Sequence, residues 1–339
     1  MQRLVLDGPH ALRWEDAAEP TIDGPEQALV RPIAVATCDI DPAIIQGRFP
    51  LAGPYAFGHE GVAEVIAVGE AVTTVRPGDK VVVPFQISCG TCDFCRRGRT
   101  GNCTTHPFMS SYGLGPMGGL AWGGFFADMV GIPHADAMLV PLPAGVDPAT
   151  VASASDNIAD AHRTVAPHLA ADPGAEVLVL GGPAAASIGL YAAGLAVALG
   201  SARAVYLDTD PERLAIAAKL GAEPIEGKPT ERVGRFPITV EAAGGPKALV
   251  AAIRATANDG VCTSVSVQTQ DVALPMLEMY SRCCTFHTGR AHVRPTIPQV
   301  LELVATGRFD PSLVTTHTVA WADTIDALLE GPVKLVATR

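Results

Sequence analysis

Positive charge is scarce in this chain: 24 lysines and arginines face 35 acidic residues, a formal net charge of -11 over 339 residues. That balance disfavours attraction to nucleic-acid phosphates or anionic lipid, so neither nucleic acid nor a membrane surface is the expected partner. The first twenty residues lack the long apolar centre of a secretion signal, being broken by Asp7, Glu15 and Asp16, and a cytoplasmic location is expected. Low-complexity tracts and fixed-period repeats are missing too. What is left is a compact globular composition, 48% hydrophobic and 17% charged, long enough for two domains. Charge is wholly absent from 177–202, VLVLGGPAAASIGLYAAGLAVALGSA, a length that could span a bilayer. The break at Gly181-Gly182-Pro183, the end at Gly200 and the lack of aromatic or basic flanks favour a buried strand, a turn and a packed helix instead.

Cysteine is sparse, eight in all, yet four fall in 88–104 as Cys89-x2-Cys92-x2-Cys95-x7-Cys103. Disulfides are rare in the cytosol, and a thioredoxin-like site would use one Cys-x-x-Cys pair rather than four thiols. A metal cage is the leading reading, because zinc takes four thiolates tetrahedrally and short loops let the backbone fold around the ion. An iron-sulfur cluster or four unrelated thiols are the alternatives at this spacing. Arg96, Arg97 and Arg99 lie in the same loop and could offset the net charge of about -2 that four thiolates leave on a divalent ion. Such a closed site has no open position, so it explains the folding of a lobe and not catalysis.

Two further metal-ligating residues stand apart. Cys38 closes Val35-Ala36-Thr37-Cys38, and His59-Glu60 begin a Val-rich alternating stretch that runs to the turn Pro77-Gly78-Asp79. Taken singly, Cys38 reads as a buried thiol or a ligand, and His59 as a satisfied histidine or a ligand. In order, Cys38, Gly58-His59-Glu60, Pro77-Gly78-Asp79, the four-cysteine lobe, WGGFFADMV at 122–130 and the run from 177 resemble the zinc-dependent medium-chain dehydrogenases, the alcohol dehydrogenase family. The resemblance covers essentially the whole chain. It implies a second, catalytic zinc held by Cys38 and His59, with a third ligand just before the nucleotide-binding domain. There 151–163, VASASDNIADAHR, has no cysteine and offers Asp156. An aspartate in that place is similar to the branch containing glutathione-independent formaldehyde dehydrogenase and formaldehyde dismutase. Its carboxylate brings the same single negative charge as the thiolate it replaces. The alternative is a helix N-cap at Ser155 or Asp156. Glu60 is either a fourth, exchangeable ligand or a group behind the ligands that tunes the ion. Two residues past the zinc cysteine, many members carry a Ser or Thr that passes the alcohol proton outward, but this chain has Ile40. Water, Asp39, Asp41 or Glu60 would have to serve, and Asp39 and Asp41 fit a plain surface role at least as well.

From Val177 strand and helix signals alternate: EVLVLGG, a small-residue helix to Gly200, RAVYLD to Asp208, a helix opened by Asp210-Pro211 and closed by Gly221, then ITVEAAG, GVCTSVSV and CCTFHTG. This is the pattern of a parallel sheet wrapped by helices. The loop GGPAAASIG is a degenerate phosphate fingerprint, with Ala184 and Ala186 where Gly189 would require glycines. Gly182, Ser187, Ile188 and Gly189 are the candidate pyrophosphate contacts. Asp208, ending the second strand, is placed to accept from the adenosine ribose hydroxyls and to repel a 2'-phosphate, which argues for NAD over NADP. Arg213 lies beside the adenine or coats the surface. Cys262, Cys283 and Cys284 read as buried small hydrophobes. Arg290, His292 and Arg294 read as a solvated basic strand with an outside role at the cofactor phosphates.

The expected fold is α/β: a GroES-like, mainly β domain over 1–150 and 288–339 carrying both zinc ions, and a Rossmann domain over 151–287, with the substrate cleft between them. The resemblance implies an NAD-dependent zinc alcohol dehydrogenase that moves hydride between a primary or secondary alcohol, or an aldehyde hydrate, and NAD. Cys38, His59, Glu60 and Asp156 form the catalytic set, and a homodimer or homotetramer is the expected assembly. An aldehyde dismutase that retains NAD, or a zinc- and nucleotide-binding relative without turnover, are the alternatives.

Overall fold

Apolar residues recur along 28–36 and 60–68, and both stretches form strands, Ala28–Ala36 and Glu60–Val68. The computed structural model in which they lie describes residues 1–339, residue 118 in backbone only. By its internal contacts the chain divides into two units: Met1–Ala159 with Ala291–Ala305 and Thr315–Arg339, and Asp160–Arg290 with Thr306–Val314.

The expected boundaries at 150/151 and 287/288 shift for identifiable reasons. The turn Ala152–Ser155 belongs to the first unit because the Ser155 hydroxyl accepts the Gly61 N–H at 2.9 Å and donates to the Ala152 carbonyl at 2.9 Å, fastening the turn to a strand. Residues 306–314 belong to the second unit, where Phe309 packs edge-on against Tyr191 and Arg308 donates to the Ala198 carbonyl at 2.8 Å.

The first unit is built on a seven-stranded sheet. Its order runs His317–Ala320, Leu335–Thr338, Ala28–Ala36, Glu60–Val68, Lys80–Val83 and Val140–Pro141, with Val130–Ile132 also paired to Ala28–Ala36. A smaller sheet joins Ala11–Asp16, Gln2–Gly8 and Tyr55–Ala56. Val30, Val35, Phe57, Val65, Val81, Val83 and Phe125 are fully buried in one cluster; each such side chain contributes about 1.5–3 kcal/mol. The antiparallel register Ala36↔Glu60, with Val336↔Ala36 on the other side, sets three strand ends together. Thr37-Cys38, His59-Glu60 and Lys334 therefore meet at one edge of this sheet.

The second unit is a six-stranded parallel sheet ordered Glu223–Glu226, Ala204–Asp208, Val177–Leu180, Phe236–Glu241, Thr256–Ser264 and Thr285–His287. In chain order that is 3-2-1-4-5-6, the doubly wound dinucleotide-binding arrangement. Five of its strands are those expected. The edge strand Glu223–Glu226 is not, because Glu-Pro-Ile-Glu carries no strand signal and is recruited only by pairing with Ala204–Asp208. The uncharged run resolves into Val177–Leu180, a turn and the helix Ala186–Ala198, buried from Ala186 to Ala196. A helix enclosed on all sides has no water-facing stripe to carry charge. No described helix is long and apolar enough to cross a membrane.

Candidate functional site

One ligand atom each from Cys38, His59, Glu60 and Asp156 lies within 4.8 Å of the others. Cys38 follows the end of Ala28–Ala36, and His59 and Glu60 open the neighbouring strand. Gly58 takes φ 91, which a side chain resists, and a Cβ there would strike Phe126 at 2.5 Å; the tight turn lets His59 face the cluster. Asp156 enters from the turn that Ser155 fastens to Gly61. With its hydroxyl spent there, Ser155 is not the helix cap considered from sequence. His59 Nε2 stands 3.4 Å from Asp156 Oδ2, close to the roughly 3.3 Å between two donors that share a tetrahedral zinc at about 2.0–2.1 Å.

Charge shows that this donor set fits a cation. Burial, then the negative charges of Asp156 and Glu60, push the Cys38 thiol well above its ordinary range. Burial also carries Glu60 up to about 8, against the pull of Lys334. Burial opposes the charged form of His59, yet Asp41 and Asp156 outweigh it and raise the imidazole to about 9. Left to themselves the anionic groups repel one another in a site shut off from water. A divalent ion would relieve that repulsion, and zinc accepts this thiolate, imidazole and carboxylate set.

Two groups behind the ligands take parts that the sequence reading did not give them. Asp41 is fully buried, which corrects the surface reading: its Oδ2 accepts the Cys38 N–H at 2.8 Å while Oδ1 faces His59 Nδ1 at 3.8 Å. It thus holds the Cys38 backbone by a hydrogen bond and acts on His59 through charge alone. Lys334, also fully buried, donates to Glu60 Oε2 at 3.0 Å and to the Thr37 carbonyl. The position of Asp41, three residues past Cys38, was a usable signal; Lys334, nearly three hundred residues away, belongs to no motif. Ile40 packs its side chain against the main core cluster of this unit.

The four-cysteine lobe is likewise assembled. Its sulfurs lie within 4.8 Å of one another, and Cys92 and Cys103 are 4.0 Å apart. That is far longer than a disulfide and near the roughly 3.8 Å expected across a zinc tetrathiolate. Cys89 Sγ accepts from Thr91 N–H at 3.4 Å, Thr91 Oγ1 at 3.4 Å, Cys92 N–H at 3.3 Å and Thr105 Oγ1 at 3.0 Å, as suits a thiolate. The arginines take a different part from the expected one. Arg96 pairs with Asp93 at 2.5 Å and Arg97 donates to the Asp93 carbonyl at 3.0 Å, so local N–H and hydroxyl groups serve the sulfur instead.

In the second unit the glycine loop leaves Val177–Leu180 beside Phe236–Glu241, where the order of strands reverses; that is the ligand crevice of such sheets. Gly182 lies against Ala243, and Gly189 packs its helix on Ala242 and Tyr206. Ser187 and Ile188 are buried in the first turn of that helix. Gly181, not among the expected contacts, matters most: a Cβ there would meet the Tyr206 ring at 2.4 Å and Asp208 Oδ2 at 2.7 Å. Asp208 is therefore brought to the loop, but it is already engaged. It accepts from Arg213 Nε at 2.7 Å, Arg213 Nη2 at 2.9 Å and Tyr206 OH at 3.0 Å. Burial alone would raise its pKa, but Arg213 and the Asp210 N–H hold it below the usual carboxylate range. Arg213, 9% exposed, is not the surface residue expected.

Other readings change as well. Cys262 is buried, but Cys283 is exposed at the left-handed end of helix Met276–Arg282, and Cys284 is half-buried. Arg294 and His292 lie at the start of helix Val293–Ala305 rather than on a solvated strand: Arg294 donates to the Leu139 carbonyl at 3.4 Å, and His292 Nδ1 accepts the Gly101 N–H at 3.2 Å. Arg290 is half-buried in the second unit.

Known proteins share this architecture. Residues 24–144 match the alcohol dehydrogenase GroES-like domain. The chain is 29% identical over 326 residues to a probable zinc-binding alcohol dehydrogenase of Mycobacterium tuberculosis, covering 94% of this chain and 82% of that protein. It is 32% identical over 233 residues to a medium chain reductase/dehydrogenase of an Acremonium species, covering 67% and 76%. The solved structure of an alcohol dehydrogenase from Thermus sp. ATN1 superposes with a TM-score of 0.89 at 30% identity, over 100% of this chain and 99% of that one.

Proposed function

The chain belongs to the zinc-dependent medium-chain dehydrogenases, and on that premise we propose that it oxidises an alcohol or an aldehyde hydrate with NAD, at a zinc held by Cys38, His59 and Asp156. It is an oxidoreductase that works with zinc and a nicotinamide nucleotide. The observation that supports this choice of residues is the convergence of their ligand atoms within 4.8 Å. When bound, zinc supplies a Lewis acid for negative charge on a substrate oxygen and the nicotinamide takes up hydride. The protein's part is to hold the geometry. Cys38 and Asp156 bring two negative charges that balance the ion, and His59 brings none. Asp41 keeps the Cys38 backbone in place and places a negative charge beside the His59 ring. Lys334 holds one Glu60 oxygen at 3.0 Å, which favours Glu60 as a tuning group over a permanent fourth ligand. With Ile40 apolar, the substrate proton leaves through water or a carboxylate.

The test is a screen of alcohols and aldehydes with added NAD on purified holoenzyme whose mass is also measured. NADH accumulating with an alcohol, in a dimer or tetramer, is the expected result. Equal yields of alcohol and acid from an aldehyde without added NAD would instead establish a dismutase, and bound NAD with two zinc ions but no turnover would overturn the enzyme reading. A dimer is compatible with the outermost strand of the parallel sheet, Thr285–His287, which an exposed stretch at Met276, Leu277 and Tyr280 precedes in the chain; an unpaired edge can template pairing with a second copy.

We infer NAD over NADP from Asp208, whose carboxylate lies over Gly181. Because Arg213 is tied to it, Asp208→Asn should free a guanidinium that can meet a 2'-phosphate. The ratio of kcat/KM for NADP to that for NAD should then rise about tenfold, the lower end of a charge-assisted hydrogen bond. An unchanged ratio would remove Asp208 from cofactor selection.

A further inference from the structure

Outside both cysteine-containing sites, two imidazoles face each other. His106, just past the four-cysteine lobe, and His134, just past strand Val130–Ile132, have their Nε2 atoms 2.9 Å apart. On the far side of the His134 ring, Nδ1 lies 3.1 Å from Glu26 Oε2. A carboxylate only accepts, so Nδ1 of His134 carries a proton, and the tautomer with its one proton there turns the lone pair of Nε2 toward His106. His106 is half-buried with its ring edge-on to Trp122 at 5.1 Å. Burial lowers its pKa, which keeps it neutral and able to ligate.

We propose that His106 and His134 form a third metal site, binding a borderline transition cation such as Zn2+, Ni2+ or Cu2+ through their two Nε2 atoms, with Glu26 fixing the His134 ring. Imidazole is the ligand these ions share. A histidine whose second nitrogen donates to a carboxylate is the usual arrangement behind a bound metal. Two nitrogens on a tetrahedral ion at about 2.0–2.1 Å stand roughly 3.3 Å apart, so the two Nε2 atoms must part by a few tenths of an ångström, and the rings, now head-on with centroids 5.1 Å apart, must tilt until both lone pairs meet at the ion. The proton shared between the rings moves from His106 Nε2 to its Nδ1 by exchange with water as the ion enters, so both rings ligate as neutral imidazoles. His134 is 19% exposed and Glu26 67%, so water can complete the coordination. The site joins the end of the cysteine lobe to the sheet of the same unit, and it does not depend on the proposed reaction.

Holoenzyme already carrying its tightly held zinc is titrated with Ni2+, following heat and tryptophan fluorescence. One further equivalent per chain is expected, with quenching of Trp122 by the paramagnetic ion. His106→Ala should abolish the extra equivalent while leaving the zinc content unchanged. Glu26→Gln, a change at an exposed position that does not threaten folding, should weaken it about tenfold. Trp122→Phe should keep the stoichiometry and lose the quenching. No further equivalent in the wild type, or the same titration in His106→Ala and Glu26→Gln, would overturn the site and leave the pair a hydrogen bond.

Discussion

Asp156→Ala is expected to carry one zinc per chain where the wild type carries two, and to lose about a thousandfold or more in kcat/KM. The size follows from what the third ligand does. A catalytic zinc is usually held by three protein groups, and Cys38 and His59 alone would leave it two. The Lewis acid supplies several kcal/mol at the transition state, and each 1.36 kcal/mol is a factor of ten in rate, so three decades correspond to about 4 kcal/mol. Asp156→Cys should keep the metal, since a thiolate restores the same charge and is an equally good ligand. Folding is not expected to suffer, because the change removes one anion from a buried group of three carboxylates that already repel the Cys38 thiolate. Metal analysis decides the matter before any assay is run. Two zinc ions retained in Asp156→Ala would place the third ligand elsewhere, with the Glu60 carboxylate, whose oxygen lies in the same cluster, the first candidate.

The parts of this molecule legible in the sequence are those whose chemistry is local. Cysteines three apart leave few places for their sulfurs, so the lobe is readable as a cage before any fold is known. Strands such as Val177–Leu180 and the Asp210-Pro211 helix start announce themselves through side-chain pattern, and Asp210 indeed accepts from the N–H groups of Glu212 and Arg213. Pairings between distant residues are another matter. Lys334 reaches Glu60 only because Leu335–Thr338 pairs with Ala28–Ala36, and no spacing rule foretells that register. Asp208 was readable as an acidic strand end, but not as a carboxylate already shared by Tyr206 and Arg213. That bond alters the cofactor argument, since a neutralised carboxylate repels a phosphate less than a free one. Asp41 was misread for a related reason: an aspartate next to a turn is usually solvated, and only the meeting of two strand ends buries this one.

Cys103→Ser is expected to lower the Tm by roughly 5 °C and to open the loop at Arg96, Arg97 and Arg99 to trypsin, with activity falling only as fast as the protein unfolds. Four thiolates bind a structural zinc with an apparent free energy of about 10–16 kcal/mol in isolated zinc-finger peptides, and that energy is folding energy for the lobe. Losing one ligand of four gives up part of it. If the loss is about 3–5 kcal/mol, a chain of this size should melt about 4–7 °C lower. The lobe's own helical pieces, Asp93–Arg96 and Thr100–Asn102, are a single turn each, too short to persist alone. Its apolar contacts are chiefly among the cysteines themselves, and the Gly101 bond to His292 is one link outward. Cys103 itself is buried, so a serine there also leaves a hydroxyl in place of a ligand. Melting followed by circular dichroism, with limited proteolysis read by mass, separates the two outcomes. Cleavage confined to 96–99 and one zinc retained would mark a lobe folded by its ion. A variant with an unchanged Tm and two zinc ions would mean that three thiolates suffice and that the lobe is held by packing the structure does not display.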